Sequence, residues 1–123
     1  MRPLGVLTVD HEAPSRRALR AIVGATAGFI PLAEAASAEE ALEIASELRP
    51  DLVLVELAMP GLDGLETSRR LTALVPDAVV LVMASNGTPG EVARAASGAA
   101  AFVSKQSLTP AVLHGLWGRY GPV

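Results

Sequence analysis

Three acidic residues, one imidazole and one ammonium carry most of the chemistry this chain could do. Asp10, His11 and Glu12 are consecutive, Glu56 ends one apolar run, and Lys105 follows another. Carboxylates hold hard cations or pair with ammonium groups, whereas an imidazole beside them suits zinc, copper or nickel better than Mg²⁺. Met83-Ala84-Ser85 closes a further apolar run, and its thioether reads as a filler of irregular space rather than a ligand. The plainer readings are an ion pair for Glu56 and a hydrogen-bonded loop histidine for His11. No metal and no cofactor is expected.

Residues this far apart in sequence act together only if a fold gathers them. Short apolar runs at Leu4–Val9, Ile30–Glu34, Leu52–Val55, Val79–Met83 and Ala101–Val103 read as strands, bounded by Pro, Gly or Asp. Helix starts stand between them: Pro14 in a first turn, Ser37 with Glu40 and Asp63 with Glu66 as capping boxes, and Thr109-Pro110 opening the last helix. Strict alternation of strand and helix demands parallel pairing, and Leu52-Val53-Leu54-Val55 lacks polar alternation, as a strand covered on both faces should. The expected class is a three-layer α/β sandwich with five parallel strands and five helices. In such sheets chemistry lies at the C-terminal ends of the strands, which is where the five candidate groups fall.

Composition removes several functions. The 123 residues fit one domain, 1–123, and contain no cysteine, which rules out disulfides and thiolate chemistry. A net charge of −3 argues against a nucleic-acid surface. Half the residues are apolar, but the longest clean apolar stretch, Ala78 to Ala84, is too short to cross a bilayer. Met1-Arg2-Pro3-Leu4 opens no secretory leader, so a cytoplasmic location is expected. Gly121-Pro122-Val123 reads as the start of a connection or a chain end.

The stretch Pro50-Asp51-Leu52-Val53-Leu54-Val55-Glu56-Leu57-Ala58-Met59-Pro60-Gly61-Leu62-Asp63-Gly64 resembles the third strand and following loop of the receiver domain of two-component response regulators. Leu7-Thr8-Val9-Asp10, Ser37 to Leu42, and Gly98 to Lys105 extend the likeness over nearly the whole chain, and Met83-Ala84-Ser85-Asn86 is similar to receivers that precede a LuxR-type helix-turn-helix. The resemblance implies a flavodoxin-like fold with strand order 2-1-3-4-5. It also implies a pocket in which an aspartate accepts a phosphoryl group, two acidic residues hold Mg²⁺, and a hydroxyl residue and an aromatic residue report the change.

This sequence departs from that pattern. Glu56 stands at the phosphoacceptor position, His11 at the second metal-holding position and Met83 at the hydroxyl switch position; Asp10, Lys105 and the aromatic switch Phe102 keep their character. Phosphoryl transfer depends on positioning and charge neutralisation, so an acyl phosphate here would form slowly. The expectation is an atypical, phosphorylation-independent receiver (a pseudo-receiver), not an enzyme, regulating and dimerising a transcription factor whose DNA-binding domain lies outside this chain. A homodimer is expected, with Leu113, Leu116, Trp117 and Tyr120 as its candidate surface, because the last helix carries aromatic residues in surplus. Arg16, Arg17 and Arg20 read as a solvated face. The alternatives are a residual phosphoacceptor on Glu56, a stand-alone interaction module, and a small-molecule sensor whose pocket is rimmed by Met83, Ala84 and the Asn86–Gly90 loop.

Overall fold

The computed structural model describes residues 2–122, so the terminal Val123 of the supposed connection lies outside the described residues. Strands β1 (Leu4–Val9), β2 (Phe29–Ala35), β3 (Leu52–Glu56), β4 (Val79–Ala84) and β5 (Ala101–Ser104) alternate with helices α1 (Ala13–Gly24), α2 (Ala38–Leu48), α3 (Gly64–Leu74), α4 (Glu91–Ser97) and α5 (Pro110–Tyr120). All pairings are parallel, in the order β2-β1-β3-β4-β5. The three-layer sandwich and the strand order expected from the sequence are both present. No described helix is long and apolar enough to cross a membrane.

The apolar runs explain the layers. Every residue of central β3 is buried, with Leu52 and Leu54 facing Leu19 and Val23 of α1 and Leu113 of α5, while Val53 and Val55 face Ala41 and Ala45 of α2 and Leu71 of α3. Pro31, which has no N–H to donate, sits in edge strand β2, and the β1–β2 register shifts just beyond it.

The helix starts behave largely as their residues dictate, with two differences. Ser37 accepts from Glu40 N, but Glu40 reaches Ala36 N rather than its cap residue, and Glu66 turns away from Asp63 to pair with Arg69 and Arg70. Neither forms the reciprocal box; each keeps the half that satisfies an orphan helix donor.

Parallel register sets the ends of four strands at one level. Val9 pairs with Val55, Glu56 with Met83, and Ala84 with Ser104. Asp10, Glu56 and Lys105 therefore emerge side by side.

Candidate functional site

The site forms where β1, β3 and β5 run out. Asp10 follows β1 fully buried, Glu56 is the buried last residue of β3, and Lys105 opens a 3-10 turn, Lys105–Ser107, directly after β5. Beneath Glu56 the chain turns sharply, and Gly64 lies so close that a Cβ there would stand 2.3 Å from the Glu56 carbonyl oxygen. Only glycine lets the β3–α3 loop fold back at this place.

The charged groups close on one another. Lys105 Nζ lies 2.5 Å from Asp10 Oδ2 and 3.5 Å from Glu56 Oε1. Glu56 Oε2 accepts from the His11 backbone N–H at 3.1 Å and contacts His11 Nδ1 at 2.6 Å. An ionised carboxylate only accepts, so the Nδ1 position carries the proton of that contact. Asp10 is further held by Ser15 Oγ–H at 2.5 Å on Oδ2 and by Glu12 N–H at 2.9 Å on Oδ1. Burial pushes the Asp10 carboxyl up, but hydrogen bonds from Lys105, Ser15 and Glu12 outweigh it and hold the group below the usual aspartate value. The hydrogen bond to Glu56 raises the His11 imidazole above its ordinary value, against a smaller opposing effect of burial.

Asp10, His11, Glu56 and Lys105 are thus brought together. Met83 is fully buried in the core on the α1/α5 side, and Phe102 is half-buried in a groove with Thr88, Pro89 and Tyr120.

Three expectations need correcting. Met83 and Ala84 are 0% and 4% exposed, so they rim no ligand cavity beside the Asn86–Gly90 loop; β4 is an inner strand, and Met83 packs into the core under α1 and α5. Leu113 is fully buried and unavailable to a partner, while Leu116, Trp117 and Tyr120 are half-buried against the core, with Trp117 edge-on to Phe29 at 6.1 Å. The aromatic surplus is partly spent on closing the sheet's β2 side. Arg16 is not free in solvent: its Nη1 donates to the Asp10 carbonyl at 2.8 Å, and it lies 3.9 Å from Glu34, which Arg20 also grips.

Ser15 and Glu34 escaped the sequence reading. A hydroxyl five residues past the strand-end acid, in the first turn of a helix, was the available signal for Ser15.

The chain matches the family described as the response regulator receiver domain over residues 6–115. It is 37% identical over 111 residues to the transcriptional activator protein ExaE of Pseudomonas putida, covering 89% of this chain and 52% of that one. It is 38% identical over 105 residues to a protein-glutamate methylesterase/protein-glutamine glutaminase of Myxococcus xanthus, covering 84% of this chain and 30% of that one. The crystal structure of a LuxR-family two-component response regulator from an Aurantimonas species superposes with a TM-score of 0.81 at 26% identity, covering 98% of this chain and 89% of that one. This chain therefore spans about half the length of the activator and under a third of the methylesterase.

Proposed function

The chain belongs to the response regulator receiver domain family, and from that premise we propose that it works as a receiver without a phosphorylation cycle, holding one state through charges built into its pocket. The observation that carries this reading is the occupancy of Glu56: one carboxylate oxygen takes both His11 donors, and the other faces Lys105. A carboxylate engaged on both oxygens, one methylene longer than aspartate, is poorly placed for in-line attack on a phosphoryl donor, and about 1 Å of misplacement can cost on the order of a hundredfold in rate. Glu56 instead acts as a fixed anion beside Lys105.

The Mg²⁺ that the family implies does not fit these donors. The ion demands near-octahedral oxygen ligands, and here the second acidic position is His11, the Asp10 Oδ2 atom is already shared by Lys105 and Ser15, and Glu56 Oε2 is tied to His11. Met83 has no hydroxyl to turn toward a phosphoryl group, so the coupling residue is missing as well.

The wider reading is a cytoplasmic, non-enzymatic regulatory module of a transcription factor, with DNA contact made by a separate domain. Likeness to a longer transcriptional activator supports it; likeness to a methylesterase keeps an enzymatic output domain as the alternative. Self-association through the part of Leu116, Trp117 and Tyr120 that packing leaves uncovered belongs to the same reading, and a sedimentation series giving a concentration-independent monomer would remove it.

Incubation with acetyl phosphate and Mg²⁺, followed by intact-mass measurement, tests the central claim. No phosphoryl adduct is expected; a stoichiometric, hydroxylamine-sensitive adduct on Glu56 would overturn it and favour the residual phosphoacceptor.

A further inference from the structure

Twice in this chain a side-chain carboxyl or carboxamide stands directly before a glycine nitrogen, the arrangement from which a succinimide ring can close. Asp63-Gly64 opens α3, and Asn86-Gly87, which holds the only asparagine in the sequence, follows β4. Asp63 and Asn86 are both exposed, but the chain around them is held differently. Asp63 Oδ1 accepts from the Glu66 N–H at 2.9 Å, the Gly64 N–H donates to the Leu57 carbonyl at 2.9 Å, and Gly64 is pressed against the Glu56 carbonyl. Among the described residues, no hydrogen bond engages the Asn86 carboxamide or the Gly87 N–H. Gly87 has a φ of +68°, and nothing stands within 4 Å of the place a Cβ would take. We propose that Asn86 is a site of covalent modification in the folded protein, deamidating through a succinimide formed with Gly87, and that the fold shuts the same route at Asp63-Gly64.

The nucleophile is the Gly87 backbone nitrogen. It gives its proton to hydroxide and bonds to Asn86 Cγ, and the carboxamide nitrogen leaves as ammonia, taking a proton from water. Water then opens the ring. Addition at Cγ leaves aspartate; addition at the main-chain carbonyl carbon leaves isoaspartate, whose backbone runs through the side-chain carboxyl. Amide and water become carboxylate and ammonia, with nothing oxidised or reduced. An N–H already donated to a carbonyl is harder to deprotonate and to turn, which closes this route at Gly64. At Gly87 the missing Cβ leaves the nitrogen open to approach, and an exposed loop can sample the rotation that closes the ring. The product falls at a charged strand end. It adds one negative charge to a formal net charge of −3, and isoaspartate lengthens the backbone directly after Ser85, whose carbonyl accepts from Gln106 Nε2 at 3.2 Å and so ties this loop to the turn after β5.

The test ages the full chain at neutral and mildly alkaline pH, in buffer and in guanidinium chloride, and reads intact mass and peptide maps that distinguish isoaspartate. Expected in buffer is a first-order mass gain equal to replacement of NH₂ by OH, mapped to residue 86, with isoaspartate among the products and a rate that rises with hydroxide. That rate should lie within about threefold of the rate in denaturant, because an open loop has little protection to lose. Asn86→Ser should hold its mass. Asp63→Asn supplies the matched control: asparagine caps a helix as well as aspartate does, so the fold is kept and the same dipeptide chemistry is placed at α3. Residue 63 of that variant should convert in denaturant and stay intact in buffer. Asn86 intact in buffer while it converts in denaturant would overturn the proposal, as would aspartate as the sole product, which would mean direct hydrolysis without the glycine. A mass gain persisting in Asn86→Ser, or conversion at residue 63 of Asp63→Asn in buffer as fast as at Asn86, would overturn it equally.

Discussion

Each end of the sheet carries an aspartate clasped by a cation from a distant segment, and the two clasps are built oppositely. At the N-terminal end, Asp51 takes the Arg2 guanidinium through two bonds of 2.6 and 2.8 Å and the Gly5 N–H at 2.8 Å. The Arg2 side chain is 73% exposed, so water competes for both guanidinium bonds. At the C-terminal end Asp10 is fully buried, and the Lys105 side chain is only 16% exposed. There a carboxylate cannot fall back on solvent, and Ser15, Glu12 and Arg16 are enlisted to complete its shell and fix its backbone. The same pairing chemistry is a surface stitch where water is near and a constructed site where it is excluded.

If the buried end is a disabled phosphoryl site, stepwise repair should revive it, and this is the largest effect expected. Glu56→Asp alone corrects nucleophile length and should leave the chain essentially unlabelled by acetyl phosphate and Mg²⁺. Adding His11→Asp restores the oxygen ligand and should bring labelling of most of the protein, read by intact mass. A response spreading through the amide NMR spectrum should appear only with Met83→Thr as well, because a hydroxyl can be drawn to a phosphoryl oxygen and a thioether cannot. Rapid, stoichiometric labelling of Glu56→Asp by itself would show that His11 is no obstacle.

The next effect separates the two clasps by stability. Lys105→Ala leaves a buried carboxylate without its cation and should destabilise the fold by about 3 kcal/mol, as breaking buried pairs does. Urea denaturation at neutral pH measures it. A shift indistinguishable from that of a surface substitution would mean that Ser15 and the backbone donors suffice for Asp10, and the contrast between the two ends would collapse.

How far the sequence could be read differs between core and site. β1 runs over Leu4–Val9, the apolar run itself, but β3 and β5 each extend one residue past their apolar runs, to Glu56 and Ser104. Apolar pattern marks what is buried by packing, whereas ladder hydrogen bonds continue into the strand end that carries the chemistry. Asp10, Glu56 and Lys105 were legible because parallel strands bring their C-terminal ends together. Ser15 and Arg16 were not, since whether a first-turn side chain faces back to the strand end depends on helix phase. Nor could spacing alone tell that Trp117 would be taken up by Phe29; both packing and partner surfaces demand the same helical stripe.

A smaller effect distinguishes the ends by pH. Asp10 and Asp51 are both held below the ordinary aspartate value of 3.8, Asp10 by donors that together outweigh the push from burial and Asp51 chiefly by Arg2. A depressed carboxyl stabilises the fold above its unfolded value and loses that contribution as pH falls through its folded one, so acid unfolding draws on both ends. His11 works in the opposite sense. Raised above 6.5 by Glu56, it stabilises fully below that value, and the contribution fades as pH climbs through the folded value. Thermal midpoints should therefore decline modestly from pH 6.5 upward in the parent chain and stay flatter in His11→Gln. Equal slopes would mean that the His11–Glu56 contact contributes no stability.

The smallest expected effect is at the exposed clasp, and its smallness is the point. Arg2→Ala removes both guanidinium bonds to Asp51, yet Asp51 keeps the Gly5 N–H, and water entering the place of the exposed arginine can replace the lost donors. The long arginine side chain also regains the rotamer freedom that the bidentate geometry takes from it, which offsets part of the lost attraction. The urea midpoint should move far less than for Lys105→Ala, and added salt, which screens exposed pairs most, should shrink even that difference. A loss equal to that of Lys105→Ala would show that exposure does not set the worth of these clasps, and Asp51 would then have to be read as a second constructed site at the opposite end of the sheet.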